Sequence, residues 1–277
     1  MKKILAALVV LVTIGTGSYS YAASAEKAFA RVEKSGTIRC GYFTWQPAFM
    51  KDPNTGTLSG INYDFMDKVG HFLGLKIEWA EEVGIGSVTE ALGAGRIDVM
   101  CASMWPDPAK MFHTEYTLPT YFSAVYAIVR GSDKRFDGNL NSINKPEVKV
   151  CGIEGDITAN ASRAAFPQAN FVGLPPTADG SQLILSVVSN KCDVMLGDAP
   201  LLIDYSKTAP GKIRKVAGVD PVHVFGEHLL VNKGEHHLKM MLDTAITTLV
   251  NSGEMDKVLD GYEGVYGAPE KAFKPLR

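Results

Sequence analysis

One pattern, used twice, constrains this chain more than any other feature. Ile38-Arg39-Cys40-Gly41 is echoed by Val148-Lys149-Val150-Cys151-Gly152, and Gly95-Arg96-Ile97-Asp98-Val99-Met100 by Asn190-Lys191-Cys192-Asp193-Val194-Met195. Between the members of each set lie a helix, a strand and a second helix. In the first copy Ile61, Phe65, Val69, Phe72 and Leu73 recur at intervals of three and four, the stripe of an amphipathic helix, and Gly74 is placed to cap it. Residues 75–79 then read as a strand, 88–94 as a short helix and 97–101 as a buried strand. Strands alternating with helices make parallel βαβ units, and two such sets make two lobes. Two extended, β-favouring runs, 121–130 and 222–232, serve as crossing segments, which makes the second lobe an insertion in the first. The predicted fold class is α/β with two lobes, 26–124 plus 224–277 and 125–223. Each lobe is a mostly parallel sheet flanked by helices, and two hinge strands join them.

Residues 1–25 stand apart. Lys2 and Lys3 open the chain, an apolar run covers 4–14, and Ser20-Tyr21-Ala22 or Ala23-Ser24-Ala25 supplies small residues for cleavage. That order is a secretory signal peptide, too short for a membrane span, and no Cys stands at the cleavage region to carry a lipid. Its removal takes two lysines and no acid, moving the formal charge from −2 to −4. The expectation is an exported, soluble, monomeric protein of the periplasm. No basic excess exists to neutralise phosphates, so nucleic acid is not an expected partner.

The four cysteines, Cys40, Cys101, Cys151 and Cys192, include no CxxC pair that would support a redox motif or zinc knuckle. Export permits disulfides. Of three possible pairing schemes, Cys40 with Cys101 comes first if their strands are neighbours; four buried thiols are the alternative. The chain contains no GxSxG, P-loop or HExxH motif, and His236-His237 as helix neighbours point different ways. No cofactor and no metal are implied.

The order and spacing of Gly36-Thr37-Ile38-Arg39-Cys40-Gly41, Gly56-Thr57-Leu58-Ser59-Gly60-Ile61-Asn62-Tyr63-Asp64, Gly95-Arg96-Ile97-Asp98-Val99, Pro119-Thr120-Tyr121 and Asp193-Val194-Met195-Leu196-Gly197-Asp198 resemble the amino-acid-type extracytoplasmic solute-binding proteins, family 3. These are receptors of ABC importers, and the resemblance covers essentially the whole mature chain. It implies a binding protein rather than an enzyme: two lobes close over a small solute, and a permease in the inner membrane reads the closed form.

The resemblance also implies where the ligand sits. The turn Met104-Trp105-Pro106-Asp107-Pro108 follows the buried strand 97–101 and the candidate residue Ser103, and such strand ends are where open α/β sheets hold ligands. Family members that bind α-amino acids place a hydroxyl residue and then an Arg here to clamp the carboxylate. The aligned positions in this chain are Trp105 and Lys110, and Lys cannot make the bidentate fork. Lys110 either holds an anion as a point charge or pairs with Asp107.

In the second lobe Gly155-Asp156-Ile157-Thr158 stands where the family has a Gly-Ser-Thr turn. Asp156 is a helix cap, a ligand contact or both, and at 4 Å it would repel a carboxylate by about 4 kcal/mol at an effective dielectric of about 20. Asp198 matches the position that receives a ligand ammonium, with a helix cap as the alternative; Trp45 matches an aromatic over the ligand, with a core residue as the alternative. The candidate ligand-binding set is Trp45, Ser103, Trp105, Asp107, Lys110, Asp156 and Asp198. Its aromatic faces and carboxylates suit an amine or other cationic nitrogen, on an amino acid or on a compound without an α-carboxylate. A sensory module would use the same chemistry. A cyclohexadienyl-dehydratase-like enzyme, with Glu154 or Asp156 as acid, would need cations beyond Lys110 for its two substrate carboxylates.

Overall fold

The computed structural model describes residues 27–262 except 176, 177 and 179. The signal-peptide expectation for 1–25 lies outside the described residues. The first lobe opens with α1 (Lys27–Ser35), β1 (Thr37–Tyr42) and a hairpin of β2 (Met50–Lys51) and β3 (Leu58–Ser59). It continues through α2 (Ile61–Leu73), β4 (Lys76–Glu82), α3 (Val88–Gly93), β5 (Val99–Met104) and the one-turn α4 (Pro108–Met111). Helix α2 ends where it does because Gly74 takes a left-handed φ of 67° and turns its N–H back onto the Gly70 and His71 carbonyls. β4 and β5 flank β1, both in parallel.

The long β6 (Thr114–Arg130) leads into the second copy of the plan: β7 (Lys149–Ile153), α5 (Ile157–Ala165), β8 (Asn170–Leu174), α6 (Gly180–Val188), β9 (Val194–Asp198) and α7 (Ala199–Thr208). There β8 and β9 flank β7 in parallel. The short β10 (Ile213–Lys215) pairs with β6. β11 (His223–Asn232) returns the chain to α8 (His236–Asn251) and α9 (Glu254–Tyr262).

The strands join in the order β4-β1-β5-β11-β6-β9-β7-β8. Among the main-sheet strands, β1, β4 and β5 pair in parallel in one lobe and β7, β8 and β9 in the other, while β6 and β11 pair antiparallel with each other and with their neighbours β9 and β5; the β2–β3 hairpin is also antiparallel. Buried side chains divide the same way. Ile38, Phe65, Val69, Val99 and Leu242 pack in one set, while Val125, Val129, Val150, Val194 and Phe225 pack in another. The fold is the two-lobed α/β arrangement with two crossing strands. No helix among the described residues is long and apolar enough to cross a membrane.

Two elements differ from the sequence reading. The strand before the ligand turn covers 99–104 rather than 97–101. Asp98 is fully buried, accepts the Arg39 N–H and pairs with the Arg31 and Arg39 guanidinium groups, so 97–98 anchor the strand's start instead of forming it. The first crossing strand begins at 114 rather than 121. Pro119, which interrupts the β-pattern, faces His228 at an irregular step of the β6–β11 register, where a missing N–H is tolerated.

Both disulfides form. Cys40–Cys101 ties β1 to its neighbour β5, and Cys151–Cys192 ties β7 to the approach of β9, with Cα separations of 5.4 and 5.9 Å. The alternative of four thiols is set aside.

Candidate functional site

Asp198 closes β9 and is 5% exposed. One carboxylate oxygen caps α7 by accepting the Leu201 N–H at 3.1 Å; the other accepts the Trp45 indole N–H, also at 3.1 Å. Trp45 sits in the loop after β1, braced by reciprocal backbone hydrogen bonds with Phe49, and the residue is 40% exposed. The Trp45–Asp198 contact runs from the first lobe to the second. Asp198 therefore caps α7 and bonds Trp45 of the first lobe with the same carboxylate. A carboxylate offers about four acceptor positions, and the donors described here leave some of them for a ligand. Burial raises the Asp198 pKa, against the hydrogen bonds from Leu201 and Trp45.

Trp45→Phe keeps the ring and removes the donor. A hydrogen bond to a charged group is worth roughly 1.5–3 kcal/mol, so ligand affinity is expected to fall about tenfold through a less favourable closure step. Titration calorimetry checks this; unchanged affinity would remove this bond from closure.

The turn after β5 converges on a residue that sequence reasoning missed. Ser103 Oγ, Trp105 Nε1 and Ser123 Oγ donate to the Glu227 carboxylate at 3.0, 2.7 and 2.5 Å. Glu227 lies on β11 directly opposite Tyr121 of β6 and is 7% exposed. Burial pushes its pKa up to about 7; the three donors work against this and the Asp198 charge adds to it. The Trp105 ring stacks on Phe225 with centroids 4.9 Å apart. The Tyr121 hydroxyl lies 3.5 Å from Ser103 Oγ. Asn62, buried in the first turn of α2, sets its carboxamide against the same hydroxyl, yet neither its oxygen nor its nitrogen completes a well-formed hydrogen bond.

The other predicted residues are engaged locally. Lys110 Nζ lies 2.5 Å from Asp107 Oδ2, so the ion pair is the alternative that forms. Asp107 also caps α4 through the Ala109 N–H at 3.0 Å, and its own N–H donates to the Tyr116 hydroxyl oxygen at 3.1 Å. Asp156 caps α5, accepting the Thr158 N–H at 2.7 Å and the Thr158 hydroxyl. Glu154 pairs with Arg163 at 2.7 Å and its side chain is 46% exposed. The structure thus joins Trp45 with Asp198, and Ser103 and Trp105 with Glu227. It holds Asp107 and Lys110 to each other and Asp156 on its own helix.

A signal for Glu227 exists in the sequence. Phe225, Glu227, Leu229 and Val231 alternate along β11 and all are buried, so a strand period of two places an acid on an apolar face.

Comparison with known proteins adds four findings. The model of the bacterial extracellular solute-binding proteins, family 3, matches residues 38–265. The probable amino-acid ABC transporter-binding protein of Haemophilus influenzae is 24% identical over 226 residues, covering 78% of this chain and 80% of that protein. Among solved structures, the ancestral amino acid-binding protein AncCDT-1, a precursor of cyclohexadienyl dehydratase, has a TM-score of 0.65 at 21% identity, covering 84% of this chain and 97% of that one. The periplasmic VFT2 domain of BvgS from Bordetella pertussis has a TM-score of 0.71 at 14% identity, covering 85% and 97%.

Proposed function

The chain belongs to family 3 of the bacterial extracellular solute-binding proteins, and from that premise we propose that it is the periplasmic substrate-binding receptor of an ABC importer whose solute carries a cationic nitrogen. Among the described residues the lobes are 27–124 with 224–262 and 125–223. They close by a hinge motion along β6 and β11, and a permease in the inner membrane reads the closed, monomeric receptor. One observation supports the choice of ligand: the buried Asp198 carboxylate accepts the Trp45 indole N–H and the Leu201 N–H and keeps acceptor capacity for a cation. The Trp45 and Trp105 rings supply faces that attract a desolvated cation by up to about 2 kcal/mol.

An α-carboxylate is poorly served by the same cleft. The Lys110 ammonium is held by Asp107, and Asp156 stands at the start of α5 where an anion would otherwise find free N–H groups. An enzymatic reading gains nothing from Glu154, which is paired with Arg163.

Titration calorimetry with the standard amino acids, primary amines and quaternary ammonium compounds tests the reading. Amines or ammonium compounds are expected to bind, and glutamate and aspartate to be rejected. Tight binding of either acid, with no amine bound, would overturn it.

A further inference from the structure

We propose that Glu227 is a second cation-recognising carboxylate of this cleft, and that it makes the receptor prefer solutes with two cationic nitrogens over solutes with one. The inference rests on the cationic reading above and extends it to the charge of the ligand.

Glu227 is built in from three directions. Ser103 comes from β5, Trp105 from the turn beyond it and Ser123 from β6, and each donates to the carboxylate. A side chain held this way cannot swing into solvent to be hydrated. All three donors are neutral, and the charged group that acts on it most strongly is Asp198, of like sign. A buried carboxylate with neutral donors and a like-charged neighbour lacks the compensation that buried charges ordinarily receive.

Asn62 gives a second, independent sign of a ligand on the same network. It is 1% exposed, and its amide oxygen and nitrogen are without hydrogen-bond partners. It lies against the Tyr121 hydroxyl, which touches Ser103 and through it Glu227. A second ammonium bound near Glu227 would find in the Asn62 oxygen the neutral acceptor its remaining N–H groups need.

The charge balance then separates two ligand classes. A monocation neutralises Asp198 and leaves Glu227 to keep a proton; a dication replaces that proton. With Glu227 titrating at about 7, the exchange falls in the neutral range. The other groups around it do not compete there. Burial holds the Tyr121 hydroxyl neutral far above this range. Asp107 and Lys110 on the adjoining turn neutralise each other. His228, next along β11, bonds the Thr117 carbonyl on the opposite face of the strand, where Asp243 and Lys239 act on it.

Titration calorimetry of the mature protein with 1,4-diaminobutane and butylamine, at pH 6, 7 and 8, tests the proposal. The ratio of diamine to butylamine affinity is expected to fall roughly tenfold from pH 8 to pH 6, as the ionised fraction of Glu227 drops from about nine tenths to about one tenth. At pH 7, calorimetry in buffers of different ionisation enthalpy should show the diamine releasing roughly half a proton more than butylamine; this readout needs no variant. Glu227→Gln suits the same donors, its oxygen accepting from Trp105 and Ser123 and its amide donating to Ser103. It should bring the affinity ratio towards one and remove the pH dependence. Asp198→Asn should weaken both amines. Equal affinity of the two amines for the unaltered protein, or equal proton release, overturns the role of Glu227 while leaving the cationic reading in place. Failure of both amines to bind overturns both.

Discussion

Replacing either cysteine pair with alanine is expected to destabilise the protein by about 4 kcal/mol. The bridges close loops of 61 and 41 residues. The loop-closure entropy that each removes from the unfolded chain corresponds to roughly 4 kcal/mol at these lengths. All four cysteines are at most 1% exposed, so the small cavities left by Ala add to the loss. Each bridge also ties neighbouring strands beside the cleft: Cys101 lies two residues before Ser103, and Cys192 six before Asp198. Urea denaturation of the Cys40→Ala/Cys101→Ala and Cys151→Ala/Cys192→Ala proteins measures the effect as a lower midpoint. A shift worth less than about 1 kcal/mol in either would contradict the loop-closure account.

Glu227→Gln should act in the opposite direction, stabilising the ligand-free protein by about 3 kcal/mol at pH 8 while changing little at pH 4. In the unfolded chain this carboxyl ionises near 4.5, whereas the fold holds its proton up to about 7. Below the lower value the group is protonated in both states and contributes nothing. Between the two values the unfolded chain has released the proton and the fold retains it, so stability falls as pH rises. Above the upper value the penalty is constant. Glutamine is neutral throughout and removes this slope. Denaturant midpoints of both proteins from pH 4 to pH 8 test it, and parallel profiles would refute the buried-carboxylate account. A residue that weakens the empty fold yet is held by three donors fits a site in which recognition was favoured over stability.

The two lobes were legible because apolar periodicity is local. The stripe of Ile61, Phe65 and Val69 specifies α2 whatever lies around it, and the doubled strand–helix order implies the doubled sheet. Motif order singles out Trp45, Ser103, Trp105 and Asp198 as candidates, and the structure joins Trp45 to Asp198 and both Ser103 and Trp105 to Glu227. Choices between alternatives were less accessible. A spacing of three between Asp107 and Lys110 permits an ion pair without requiring it; the fold of the turn, with Asp107 capping α4 and bonded to Tyr116, makes that pair. Cysteine pairing depends on which strands are neighbours, and sheet order places β5 and β9 beside β1 and β7.

Glu227 marks the boundary between what the chain says and what the fold adds. Alternation along β11 places it on an apolar face, a property of four successive same-face residues. Its donors stand 124, 122 and 104 residues away in sequence. By itself the sequence determined the two-lobed α/β plan and the family, since these follow from local pattern and motif order. The tertiary structure alone decided which acid is buried and how readily it ionises. Desolvation and hydrogen bonding are set by what surrounds a group in space, and here the crossing strands bring those surroundings together.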